Sequence, residues 1–253
     1  MIENIDTNFG VLLKKLAEWG IERNTLVIFL TGDNGGLRGG KVMPYQGGVR
    51  ANAFFRWPDG GIPAGAENTA LSAHIDIFPT LAEITGATLT EEVKKQVEGR
   101  SLWPLLQNLK TKWPDRTLIH HVGRWAKGRA ADSKHDHCVI QNSRFTLVNN
   151  TELYDLQTDP GEKKNVISEH PEVVANLRST YDKWWKETLP LLVNENAIGP
   201  KINPMKELYW KQFGGEPDAK LLERMNPNQE NSKKAERKTP KRKPADQDSP
   251  PKN

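Results

Sequence analysis

The chain has 253 residues, 36% of them hydrophobic and 27% charged, enough for a real core and one or two domains. No apolar run approaches the ~20 residues of a membrane span. The formal charge of +4 resides in residues 229–253, where eight Lys/Arg face four Asp/Glu, so residues 1–228 carry no net charge and a basic nucleic-acid-binding stripe is not supported.

That last segment is rich in Lys, Pro and Ser and lacks large apolar residues, which predicts a disordered, solvated tail. A lone cysteine, Cys138, excludes an internal disulfide, and its setting Asp136-His137-Cys138-Val139-Ile140 reads as a buried, inert thiol at the start of a strand. Met1 opens directly on a helical pattern, without the charged and apolar regions of a signal peptide.

In chain order, Ile5, Phe9, Leu12, Leu13, Leu16 and Trp19 recur at helical spacing, which predicts a helix over 2–19 with Gly20 as its stop. Leu26 to Leu30 form an uninterrupted apolar run ended by Thr31-Gly32-Asp33-Asn34-Gly35-Gly36. This reads as a buried strand of a parallel sheet covered on both faces. A helix feeding such a strand is half of a βαβ repeat, and its missing first strand leads us to expect an absent upstream segment. A second strand is expected at Ala53 to Trp57, then a short helix within 73–86. In that helix Asp76 is the candidate N-cap, Pro79 sits in the first turn, Leu81 and Ile84 face inward and Gly86 closes the end. Residues 87–100 read as a polar connector and 101–106 as a short helix. Four short strand-like pieces follow, at Thr117–Val122, Cys138–Ile140, Arg144–Val148 and Glu152–Tyr154, which predict a small antiparallel sheet. A longer helix is expected over 171–189, and irregular wrapping over 190–228.

The chemistry concentrates at 25–58. In open α/β sheets ligands collect beyond the carboxyl ends of strands, where Asp33 and Asn34 stand. A carboxylate and an amide carbonyl are hard oxygen donors suited to Ca2+ or Mg2+, although Asp-Asn-Gly is also ordinary turn chemistry. Seven residues beyond Asn34, after Gly39-Gly40, comes Lys41, whose ammonium can meet an anion as a point charge. A cation site beside such a lysine suits a sulfate or phosphate ester, because the two share the charge of its oxygens.

Together with Tyr45-Gln46-Gly47-Gly48-Val49-Arg50, three further blocks occur in order. They are His74-Ile75-Asp76-Ile77-Phe78-Pro79-Thr80-Leu81, Gly99-Arg100-Ser101-Leu102, and Glu152-Leu153-Tyr154-Asp155-Leu156 followed by Asp159-Pro160-Gly161-Glu162. The series resembles the sulfatase family, most closely its arylsulfatases. The resemblance implies the C-terminal part of an alkaline-phosphatase-like α/β/α sandwich over residues 1–110. It also implies a subdomain of antiparallel sheet and packed helix over 111–228, ahead of the tail at 229–253. It further implies calcium-dependent hydrolysis of a sulfate ester, on a small molecule or a sulfated glycan, in a periplasmic or secreted setting. Asp33 and Asn34 would ligate the calcium, and Lys41 would contact the sulfate and favour the leaving group.

The family's nucleophile is a formylglycine aldehyde made within a C/S-x-P-S/A-R motif, and this chain has none, so it is expected to be inactive alone. Two oxygen ligands also fall short of the ~6–8 that Ca2+ takes. Where the family more usually has Glu, this chain has Gln46. A phosphoester or phosphonate hydrolase of the same scaffold, and a non-catalytic degenerate binding protein, remain the alternatives. Other candidates are weaker. His135, Asp136 and His137 crowd too closely for a zinc site. His74 reads as a structural histidine, His120-His121 with Arg124 and Lys127 as a substrate rim or plain surface, and Arg50 as a structural cation rather than an anion ligand.

Overall fold

The structure is a computed structural model that describes residues 2–32, 36–123, 125, 128–192 and 202–216. The tail at 229–253 lies outside these residues. The chain divides into two compact units: Met1–Val122 with His135–Asp182, and Gly123–Lys134 with Lys183–Asn253.

The first unit begins with helix α1, Ile2–Glu18. Phe9 packs its ring on Phe29 at 5.1 Å between centroids, and Leu16 is buried. The other flank of the apolar stripe, Ile5, Leu12 and Trp19, is open to solvent. Strand β1, Val27–Leu30, pairs antiparallel with β2, Ala53–Arg56, in a register that sets Val27 against Arg56 and Leu30 against Ala53. This differs from the buried parallel strand expected there. Helix α1 packs on the pair through Phe9 on Phe29, and among the described residues no strand lies along the other edge of β1. The apolar run therefore exceeds what this two-stranded sheet covers, and Leu30 and Phe54 stay exposed.

Between the strands lies α2, the single turn Gln46–Val49. A 3-10 turn at His74–Asp76 then leads into α3, Ile77–Thr85, and Gly86 closes that helix in the left-handed conformation at φ 65°, as expected. Asp76 stands at the N-cap position, but its carboxylate does not cap the helix. It is fully buried and receives both guanidinium arms of Arg116, one at 2.7 Å, together with the backbone N–H groups of Arg100 (2.8 Å) and Ala73 (2.7 Å). One turn further along, the Thr80 hydroxyl donates to the Asp76 carbonyl and accepts from the Leu102 N–H at 2.8 Å. Blocks far apart in sequence are thus tied into one buried polar joint. Leu81, expected inward, is exposed, because α3 turns Thr80 and Ala82 to the interior to reach this joint. Helix α4, Glu91–Gln96, is capped by the Thr90 hydroxyl within the stretch expected to be a connector, and α5 is Trp103–Gln107.

The antiparallel sheet forms as expected. Strands β3, Leu118–His121, β4, Cys138–Gln141, β5, Phe145–Val148, and β6, Glu152–Asp155, pair in sequential order. Ile140, Leu147, Val148 and Leu153 are fully buried and form the core of this unit with Val139 and Tyr154. Cys138 is fully buried too, and burial pushes its thiol up to about 12, so it stays protonated and inert as expected. The β5–β6 hairpin turns on Asn149 and Asn150 at φ 48° and 61°, a left-handed pair that Asn tolerates well. The Asn149 side chain also accepts the Cys138 N–H at 3.1 Å. Asn149→Ala removes both benefits and is expected to lower stability by about 1–2 kcal/mol, read from the urea midpoint. Helix α6, Pro171–Thr188, buries Val174, Leu177 and Tyr181 within this unit, in agreement with the expected helix.

The second unit holds a 3-10 turn at Ala130–Ser133 and an edge-on contact of Trp125 with Trp185 at 6.5 Å. It also carries α7, Pro204–Phe213, whose N-cap Asn203 accepts the Met205 N–H. This helix lies in the stretch read as irregular. Its apolar residues Met205, Leu208, Tyr209 and Phe213 recur at helical spacing and are all exposed, but the Pro and Gly residues scattered through 190–228 obscure so short a pattern. No described helix is long and apolar enough to cross a membrane.

Candidate functional site

At the end of β1 the chain is clipped to the start of β2. The Thr31 N–H donates to the Asn52 carbonyl at 3.0 Å, and the Asn52 N–H donates to the Thr31 hydroxyl at 2.8 Å. The proposed cation ligands Asp33 and Asn34 follow immediately and lie outside the described residues. Lys41 is described. Its side chain is exposed and makes no ion pair or hydrogen bond with any described residue. An unpaired ammonium on a defined loop is available to an external anion.

The loop beneath Lys41 has a tight shape. The Gly47 N–H donates back to the Arg38 carbonyl at 2.7 Å, and the Met43 N–H to the Gly40 carbonyl at 2.9 Å. A Cβ on Gly48 would stand 2.2 Å from the Met43 carbonyl oxygen and 2.4 Å from that of Gly40, so the backbone can pass there only as glycine.

This loop is fastened to the antiparallel sheet by side chains remote in sequence. One arm of Arg38 donates to the Tyr154 hydroxyl and to the Glu162 carbonyl, each at 2.6 Å, and the other approaches Glu152 at 3.4 Å. The guanidinium lies 4.0 Å over the Tyr45 ring, a cation–π contact. Both tyrosines donate to the Glu152 carboxylate, Tyr45 at 3.3 Å and Tyr154 over a shorter bond. Glu162 is fully buried, and its Oε2 accepts the Gln46 N–H at 2.8 Å. Its Oε1 has no hydrogen-bond partner among the described residues. The Gln46 side chain, itself buried, donates to the Gln141 side chain at 2.9 Å. A carboxylate at position 46 has no N–H to give there, which is the local use of the amide this chain carries.

The electrostatics follow from burial and pairing. Burial pushes the Tyr154 hydroxyl up to about 12, and the Glu152 carboxylate that accepts its proton adds to this. Tyr45 moves up for the same two reasons. Burial also raises the Glu162 carboxyl, against the pull of the Gln46 N–H and Arg38. For Arg38 burial works against the charge, and its tyrosine and carboxylate neighbours outweigh it, so the guanidinium is held more firmly charged.

The remaining candidates are spread apart. His120 is partly buried, and burial, then the nearby His74 ring, lowers its pKa, which keeps it neutral. His137 bonds Asp136 at 2.7 Å, and His135 packs on the Tyr181 ring at 4.5 Å. Among the described residues no three His, Cys, Asp or Glu side chains could hold a metal ion together. Arg50 is exposed and makes no ion pair with a described residue. Arg124 and Lys127 lie outside the described residues. Sequence reasoning missed the roles of Arg38, Glu152 and Glu162. The glutamates stand in a recognised motif, but their partners lie more than a hundred residues upstream.

A family model described as N-sulphoglucosamine sulphohydrolase, C-terminal, matches residues 39–187. Steryl-sulfatase of Mus musculus is 30% identical over 220 residues, which are 68% of this chain and 34% of that protein. Arylsulfatase A of Homo sapiens is 32% identical over 210 residues, 69% of this chain and 40% of that protein. The solved structure of BT4656 in complex with its substrate D-glucosamine-2-N,6-O-disulfate superposes with a TM-score of 0.57 at 23% identity, covering 73% of this chain and 39% of that one. The chain therefore spans between about a third and two fifths of the length of these relatives. With a family model matching more than half of its residues, and the fold of solved sulfatases, the chain belongs to the sulfatase family of the alkaline-phosphatase-like superfamily.

Proposed function

We propose that this chain is the sulfate-receiving part of a calcium-dependent sulfuric ester hydrolase, and that the nucleophile is supplied by polypeptide beyond its 253 residues. The observation that carries this reading is Lys41, an exposed ammonium without a partner among the described residues, on a loop whose shape is fixed from below. Lys41 binds the sulfate oxygens and offsets the charge that grows on the leaving oxygen as the ester bond breaks. Asp33 and Asn34 would hold the calcium through a carboxylate and a carbonyl, the donor types a hard cation takes, and the ion would supply Lewis-acid polarisation of the sulfate. They are two of the ~6–8 ligands required, so further oxygen donors must complete the shell. The substrate is the sulfate ester of a small molecule or a sugar, a class supported by the names of the relatives. The setting is periplasmic or extracellular.

Two measurements test this. Sulfate titrated into the chain should shift the Lys41 side-chain amine resonance, and Lys41→Met should weaken sulfate binding by about tenfold, the worth of one charge-assisted contact. The chain alone should show no turnover of an aryl sulfate. Turnover that Asp33→Ala abolishes would show that the nucleophile is not supplied from elsewhere and would sink this part of the reading.

A further inference from the structure

Arg38 stands three residues before the exposed Lys41 and reaches onto the antiparallel sheet. It touches the tip of Tyr154, the carbonyl of Glu162, the carboxylate of Glu152 and the face of Tyr45. Five residues beyond Lys41, the Gln46 N–H is held by the buried Glu162 carboxylate. The Lys41 segment is thus pinned on both sides by the same short stretch, 152–162. Tyr45 and Val49 also pack on the core formed by Val139, Val148 and Tyr154. No described residue other than its chain neighbours contacts Lys41 itself with a polar group.

We infer that Arg38 and Glu162 are positioning residues that set the anion-binding ammonium of Lys41 by clamping its loop to the antiparallel sheet. This rests on the reading of Lys41 given above. A lysine ammonium ends a flexible four-carbon stem, so its reach is defined only as well as the backbone that carries it. The planar Arg38 fork fixes direction as well as distance, since its arms meet a hydroxyl, a carbonyl and a carboxylate together. The motif at 152–162 acts on the Lys41 loop through this clamp.

The test uses the full chain with inorganic sulfate as probe, and reads amide hydrogen exchange and sulfate affinity side by side. Arg38→Met should speed exchange of amides 39–48 by about tenfold while amides of β4 and β5 keep their rates, and should weaken sulfate by a similar factor. Tyr154→Phe removes one acceptor and leaves the ring in the core, so it should give a smaller loop-confined change. It also serves if Arg38→Met does not fold. Arg38→Lys keeps the charge without the fork and should stay nearer to Arg38→Met than to wild type. Unchanged loop exchange overturns the inference. So does equal acceleration of loop and sheet, which is global destabilisation, and so does sulfate affinity that stays constant while the loop loosens. If Lys41→Met binds sulfate as wild type does, the anion-binding reading of Lys41 fails and the positioning role falls with it. The exchange data alone still decide whether the clamp exists.

Discussion

Asp76→Asn is expected to cost about 3–5 kcal/mol of folding stability, because it strands the Arg116 guanidinium, 6% exposed, without its counter-charge. Arginine cannot escape by losing its proton, so the variant keeps its stranded charge at every pH. The converse change, Arg116→Met, leaves a buried carboxylate that can neutralise itself by taking up a proton, so its cost shrinks as pH falls. The wild-type carboxyl fixes the sign. Burial alone would raise its pKa. The Arg116 guanidinium and the N–H groups of Arg100 and Ala73 outweigh burial and hold it below the ordinary carboxylate value. A carboxyl depressed on folding contributes stability that is complete above its unfolded pKa, about 3.9, and is lost as pH falls through the folded value. Urea unfolding at pH values from 6 down to 2 should show this acid-sensitive component in wild type and its absence in Asp76→Asn. Equal acid slopes in the two proteins would remove Asp76 from the account.

Gly48→Ala is expected to be the most damaging single methyl in the Lys41 loop. The added Cβ would lie at 2.2 and 2.4 Å from two backbone carbonyl oxygens, and neither can swing away as a side chain would. The loop must open, at about 3 kcal/mol, the upper end of ordinary overpacking. Because the contacts are confined to residues 40–48, the loss should appear as fast amide exchange and tryptic cleavage after Lys41, with the sheet β3–β6 retained. A Gly48→Ala protein whose loop stays protected would contradict the close approach described above.

Much of the fold was legible because local signals agreed with tertiary structure. The alternation and turn residues of 117–155 specify the four-stranded sheet, and Asn149-Asn150 supplies a turn chemistry few other pairs support. Gly86 closes α3 for the same kind of local reason. Position 76 was legible as a helix start, but its partners, Arg100 and Arg116, are set by tertiary contacts with no periodicity to betray them. β1 misled in the other direction. Five apolar residues in a row specify burial, not the direction of the neighbouring strand, and in the structure that neighbour is the antiparallel β2. For the candidate site, residue type and the surrounding glycines singled out Lys41, and the structure places it exposed on a loop. Its anchor was not legible, since Arg38, Tyr154 and Glu162 come together only through the fold, and α7 was missed because scattered Pro and Gly residues obscure its short apolar spacing.

The Arg38 clamp has a consequence for how the protein is made. Its bonds close over 116 residues to Tyr154 and 124 to Glu162. At a synthesis rate of ~5–20 residues per second, the Lys41 loop emerges roughly 6–25 s before the residues that hold it. The sheet β3–β6 needs only neighbouring strands to pair, and contacts so close in sequence form quickly once the chain is present. Assembly therefore runs against the order of the sequence. The Lys41 segment is made before the residues that shape it, and until Glu162 is in place its glycines, apolar neighbours and ammonium remain accessible to proteases and chaperones.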